Sequence, residues 1–148
     1  MNRPLAGALM GAVLAVSGCG GSSTLSSDQL VRRATLLCTN AALRSARIAT
    51  PSDPGDGATF LRRGIAILGP ELTALRSLKA PKELAPVYAT SIDSFSRKLG
   101  ALRSAVHEMD TGANPVTAMT ALQQRLAPIE SAEDGAWRAL EIPACVNR

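Results

Sequence analysis

The chain has 148 residues, 46% of them apolar and only 3% aromatic. That apolar share excludes a wholly disordered chain, and the length provides for one domain with its own core rather than two. Sixteen basic residues stand against 12 acidic ones, beside one His, three Cys and four aromatic rings. These counts exclude a base-stacking nucleic-acid platform and a zinc-finger array.

The amino terminus opens with a charged residue, Arg3, and then runs from Leu5 to Val16 without a charge. Those 12 residues are too short to cross a hydrocarbon layer of about 30 Å as a helix. They have the length of the apolar segment of an export signal. The run ends in Val16-Ser17-Gly18-Cys19, an aliphatic residue, two small residues and a thiol, which resembles the bacterial lipobox. The resemblance implies cleavage after Gly18 and acylation of Cys19 as the first residue of the mature chain. Residues 1–18 are then a lipoprotein signal peptide. The membrane partner is reached through the lipid anchor at Cys19, on the extracytoplasmic face of the cell membrane. The competing reading is an ordinary secretory signal that happens to end in Cys, but no A-x-A cleavage site follows just downstream. Residues 19–27, the acylated Cys and GGSSTLSS, read as a flexible tether with a root-mean-square reach of about 16 Å for its last eight residues.

With Cys19 assigned to lipid, Cys38 and Cys145 remain. An even leftover pair in an exported protein predicts one disulfide.

Residues 28–148 read as the folded domain. Ser26 with Gln29 three residues on has the form of a capping box, placing the first helix start near Ser26 or Ser27. Leu30, Ala34, Leu37, Ala41, Ser45 and Ile48 make its apolar stripe, with Cys38 on the shoulder. The run from Thr50 to Gly57 is a loop. The second helix is predicted over residues 58–78 on the stripe Leu61, Ile65, Leu68, Leu72, Leu75 and Leu78, with a kink at Gly69-Pro70. A third helix is predicted to open with Pro81 near its first position. Its stripe is the clearest: Ala85, Tyr88, Ile92, Phe95, Leu99, Leu102, Val106 and Met109. Asn114 as cap and Pro115 at the first helical position start the fourth. That helix carries Met119, Leu122, Leu126, Ile129, Ala132, Ala136 and Leu140, with a kink at Pro128 and a stop at Pro143.

No segment alternates with a period of two between turn signals. The predicted fold is all-α: an antiparallel up-down four-helix bundle in which the disulfide joins the first helix to the C-terminal tail. The plan resembles small, uncharacterised helical lipoproteins of high-GC actinobacteria, with Cys19, Cys38, Pro81-Lys82-Glu83-Leu84, Tyr88 and Cys145 as the matching residues. That resemblance supplies no catalytic residue and no ligand.

Reactive constellations are sparse. His107 has Asp110 at i+3, but no G-x-S-x-G elbow accompanies them. Ser104 stands where a di-iron helix needs Glu before His107. Glu130, Glu133 and Asp134 cluster on the fourth helix and would need oxygens from another helix to hold a hard cation. A b-type haem would need His107 with Met109 or Met119, and Met at helical spacing reads more simply as core. Nucleotide-binding glycine motifs and C-x-x-C-H do not occur. Past the signal, 15 basic residues oppose 12 acidic ones, spread over all four helices rather than along one stripe, so nucleic acid is not an expected partner.

The expectation is a membrane-anchored, non-enzymatic helical module of the cell envelope, binding a protein partner or supporting an assembly, with no cofactor and no metal site. The alternative is a carrier or sensor of a small apolar ligand or metal, held in a pocket opened by the two kinks.

Overall fold

A computed structural model describes residues 24–147. The signal, the lipobox and Cys19 lie outside the described residues. Four helices follow in order: α1 (Ser27–Ser45), α2 (Gly57–Ser77), α3 (Ala85–Asp110) and α4 (Pro115–Ala139). Single 3-10 turns at Pro54–Asp56 and Pro143–Cys145 complete the elements, and no strand occurs among the described residues. The all-α bundle and its single disulfide are as the sequence predicts.

Local chemistry sets most of the boundaries. The Ser26 hydroxyl accepts from the Gln29 amide, and the Gln29 side chain accepts from the Ser26 amide, closing the capping box. Such a cap stabilises a helix by about 1 kcal/mol. Leu25 and Leu30 occupy the two positions of a hydrophobic staple, and both are buried. Leu25 also donates its amide to the Lys79 carbonyl at 2.9 Å. The tether therefore stops short of residue 27: Leu25, Ser26 and Ser27 belong to the bundle, because the staple and cap need them. The Asn114 side chain accepts from the amides of Val116 and Thr117, ahead of Pro115 in the first turn of α4.

Three other boundaries shift. α3 does not open at Pro81. The Pro81 carbonyl takes the amides of Leu84 and Ala85 in a turn, and Pro86 becomes the proline of the first helical turn, where its missing N–H is harmless. α2 begins one residue early, at Gly57. α4 ends before Pro143: its cap is Leu140, and Glu141 turns into the left-handed region at φ 57°. α2 and α4 both continue through their internal prolines, Pro70 and Pro128.

The core is built from Leu30, Ala34 and Cys38 of α1, Leu61, Leu72 and Leu75 of α2, and the whole α3 stripe from Tyr88 to Val106. Leu122 and Trp137 of α4 join it. The ring of Tyr88 meets Trp137 edge-on, with centroids 5.9 Å apart. Its hydroxyl donates to the Leu75 carbonyl at 2.7 Å, and burial pushes the phenol well above its usual range. Trp137, fully buried, was not on the predicted stripe of α4, whereas Ala132 was and is exposed. Likewise Cys38, not Leu37, lies on the centre line of α1.

The disulfide joins Cys38 to Cys145 with Cα atoms 5.2 Å apart. It pins the C-terminal tail to the middle of α1, and both cysteines are fully buried. This staple matters because α1 is weakly integrated. It packs on α2 and on the Pro143–Cys145 turn, but no Cα of α1 comes within 8 Å of α3 or α4. The fourth side of the bundle is thus closed by a tail and a covalent bond rather than by helix on helix.

Candidate functional site: a cavity at the open seam

The stand-off of α1 leaves space. A cavity of about 500 Å³ opens between the C-terminal half of α1 and the other three helices. Its size is typical of small-ligand sites. Small side chains make the room: Ala41, Ala42 and Ser45 from α1, and Gly64 from α2. Phe60, Leu61 and Leu68 of α2, Leu102 of α3 and Leu126 of α4 supply apolar wall, with Ile48 beyond the end of α1. A Cβ added at Gly64 would meet nothing within 4 Å, so the space reaches the α2 backbone.

Three charged side chains line the same cavity: Glu71, Lys98 and Glu130. Glu71 is 6% exposed and Lys98 4%. The sequence places both at core register. Lys98 falls three residues after Phe95 and four before Leu102, and Glu71 three after Leu68, so each helix turns them inward. The Lys98 ammonium lies 2.8 Å from Glu133 Oε2 and 3.6 Å from Glu130 Oε1. Glu133 is itself buried, and the indole N–H of Trp137, one turn on, donates to its Oε1 at 3.4 Å. A chain of polar contacts therefore runs from the cavity wall through Lys98 and Glu133 to Trp137. Glu71 and Glu130 each follow an internal proline closely, Pro70 and Pro128. Those prolines withdraw the amides that the carbonyls of Ala66 and Gln124 would otherwise receive. The cavity thus lies between the two proline-interrupted stretches.

The other residues singled out from the sequence fall elsewhere. His107 is exposed. Asp110, its supposed partner, is engaged by Arg62 of α2. Next to it, Glu108 accepts two hydrogen bonds from the Arg125 guanidinium at 2.9 and 3.2 Å and one from Ser104. The Arg125 bonds, then the Ser104 bond, hold its carboxyl below the usual range. The acidic cluster of α4 divides. Glu130 and Glu133 face Lys98, while Asp134 meets Arg138 at 3.4 Å and the Asn147 amide at 3.0 Å. No group of three or more His, Cys, Asp or Glu side chains forms a ligand set for a metal ion among the described residues. Met109 and Met119 lie beside Gly57 at the start of α2.

From the sequence, Glu71 does not stand out, Lys98 is one of the basic residues spread over the four helices, and Glu133 belongs to an acidic cluster on the fourth helix. The available signal was a charge at apolar spacing on a strong stripe, but that pattern alone does not say whether a partner waits on the facing helix.

No helix among the described residues is long and apolar enough to cross a membrane. Comparison of the chain with family models, with curated proteins and with solved structures finds no match.

Proposed function

We propose that this chain is a lipid-anchored lipoprotein on the extracytoplasmic face of the cell membrane, whose bundle acts by binding a small, largely apolar ligand rather than by catalysis. The cavity between α1 and the other helices carries the binding part of the reading. Its walls are largely apolar, Lys98 and Glu130 meet in its lining at 3.6 Å, and its volume suits a ligand of modest size. The lipobox residues Val16-Ser17-Gly18-Cys19 support the anchor. The Cys38–Cys145 bridge supports an oxidising compartment, where such bonds persist. A binding role is favoured because the cavity is walled largely by hydrocarbon and its ammonium, Lys98, is already engaged by Glu133 and Glu130.

A second reading, docking of a protein partner at the envelope, is favoured by one observation. Leu36 and Leu43, two turns apart on α1, are 62% and 60% exposed, and single-face apolar anchors of this spacing suit helix-mediated contacts.

Two measurements test the main reading. Metabolic labelling with an alkyne fatty acid should tag the wild-type chain and leave Cys19→Ala unlabelled; label retained in the variant refutes the anchor. A solvatochromic apolar dye should bind the soluble chain that begins at Gly20, and Gly64→Leu, which projects a side chain into the cavity, should abolish that binding. Dye binding undiminished in Gly64→Leu refutes the cavity as the ligand site.

A further inference from the structure

The outer face of α1 carries a pattern that neither the core nor the cavity uses. Between Gln29 and Ser52 the chain has four basic residues, Arg32, Arg33, Arg44 and Arg47, and no acidic one. Asp28, in the first turn, is the one acidic residue of the helix. All four arginines are exposed, and Leu36 and Leu43, 62% and 60% exposed, sit among them. The buried line of α1 is Leu30, Ala34, Cys38 and Ala41. At about 100° per residue, Arg32, Leu36 and Leu43 fall on the side opposite to it, and Arg47 follows just past the Ala46 cap. The start of α1 is also where the chain leaves toward the proposed anchor. Cys19 lies six residues before Leu25, which is buried and bonded through its amide to Lys79. Six residues span at most about 21 Å, so a lipid on Cys19 keeps this helix at the bilayer surface.

We propose that the outer face of α1 is a membrane-contact surface that lies along a bilayer bearing anionic phospholipid headgroups, with Leu36 and Leu43 in the interfacial layer and the four arginines at the phosphates. A protein partner accounts for the leucines but not for the unopposed arginines around them. A charged lipid surface uses both: apolar side chains enter the headgroup boundary, and guanidinium groups fork onto phosphate oxygens. The inference rests on the anchor reading only for delivery of the helix to the membrane; the pattern of charge and leucine stands without it. Tethering makes the contact intramolecular, so a face of modest affinity is enough to fix how the bundle sits.

The test separates this face from the anchor by using the chain from Gly20 onward, which lacks Cys19 and keeps every core residue, since these lie at or beyond Leu25. Co-sedimentation is compared between vesicles of phosphatidylcholine alone and of equal parts phosphatidylcholine and phosphatidylglycerol. The chain is expected to bind the mixed vesicles, and to release them on raising the salt to about 1 M. Arg32→Gln/Arg47→Gln should weaken that binding about 25-fold, at about fivefold per charge. Arg97→Gln/Arg103→Gln, the same charge change on exposed arginines of α3, should leave it nearly unchanged. Leu36→Ala/Leu43→Ala should weaken it about tenfold. The replaced side chains are all exposed, so thermal unfolding should stay that of the parent chain. Equal binding to neutral and mixed vesicles, equal losses in the α1 and α3 variants, or no binding to either vesicle overturns the proposal. In the full chain within its native envelope, a photo-activatable leucine analogue at position 36 should crosslink phospholipid. A discrete protein adduct there overturns the lipid surface in favour of a protein partner. None of these results depends on acylation of Cys19, which fatty-acid labelling tests separately.

Discussion

Reduction of the Cys38–Cys145 bridge is the perturbation whose size follows most directly from the structure. The bonded residues are 107 apart in sequence, so the bridge restrains nearly the whole domain when unfolded. In the chain-entropy account, closing a loop of that length removes about 16 cal/mol/K from the unfolded ensemble, or about 4.8 kcal/mol at 25 °C. The folded side of the balance is affected less evenly. Among the other elements, only α2 and the Pro143–Cys145 turn bring Cα atoms within 8 Å of α1, and the bridge ties that turn to it. The urea midpoint of the reduced protein should therefore fall by about 2 M, taking a slope of about 2 kcal/mol/M. The slope itself should rise, because the unfolded chain can now expand. The assay is urea unfolding followed by Trp137 emission, oxidised against reduced, with Cys38→Ala/Cys145→Ala as a control that cannot re-oxidise. Native-state hydrogen exchange should show α1 losing protection before α3 and α4. Midpoints within about 0.5 M of each other, or uniform loss of protection across all four helices, would refute the reasoning.

The buried ion pair gives a second prediction. Lys98→Met leaves the Glu133 carboxylate, 1% exposed, without its ammonium, and should cost about 3–5 kcal/mol. Lys98→Met/Glu133→Gln should recover much of that loss, so a double-mutant cycle reports strong coupling; additive losses would show that the two groups do not act as a pair. Alkaline pH gives a third. The folded-state pKa of Tyr88 is raised, so its contribution is fully present below the unfolded value of about 10 and is lost as pH rises above it, by up to about 1.4 kcal/mol per pH unit. Because Tyr88 is the only Tyr, absorbance at about 295 nm should show tyrosinate only together with unfolding; ionisation of the native protein near pH 10 would contradict its burial.

Much of the architecture is a local matter and was legible in the residues. Ser26 with Gln29, and Asn114 with Pro115, start α1 and α4 because a cap needs only its own next few amides. The α3 stripe from Tyr88 to Val106 follows from helical periodicity alone. Cys38 and Cys145 followed from counting thiols. Errors appeared where a choice depended on something distant. Pro81 was as good an opening residue as Pro86 until the turn at 81–85 was in place, and Leu25 looked like tether until Lys79 was beside it.

The interior of α4 and the site itself belong wholly to tertiary structure. A sequence stripe is one helix's account of its own faces, and whether Trp137 or Ala132 goes inside depends on the surface that α3 presents to it. Charge shows this most sharply. Lys98 is buried because Glu133 meets it from another helix at 2.8 Å, and a lone charge at that depth would be too costly to keep. The cavity, likewise, is written in no segment: it exists because α1 is held by a tail and a disulfide at a distance from α3 and α4 that only the assembled bundle defines.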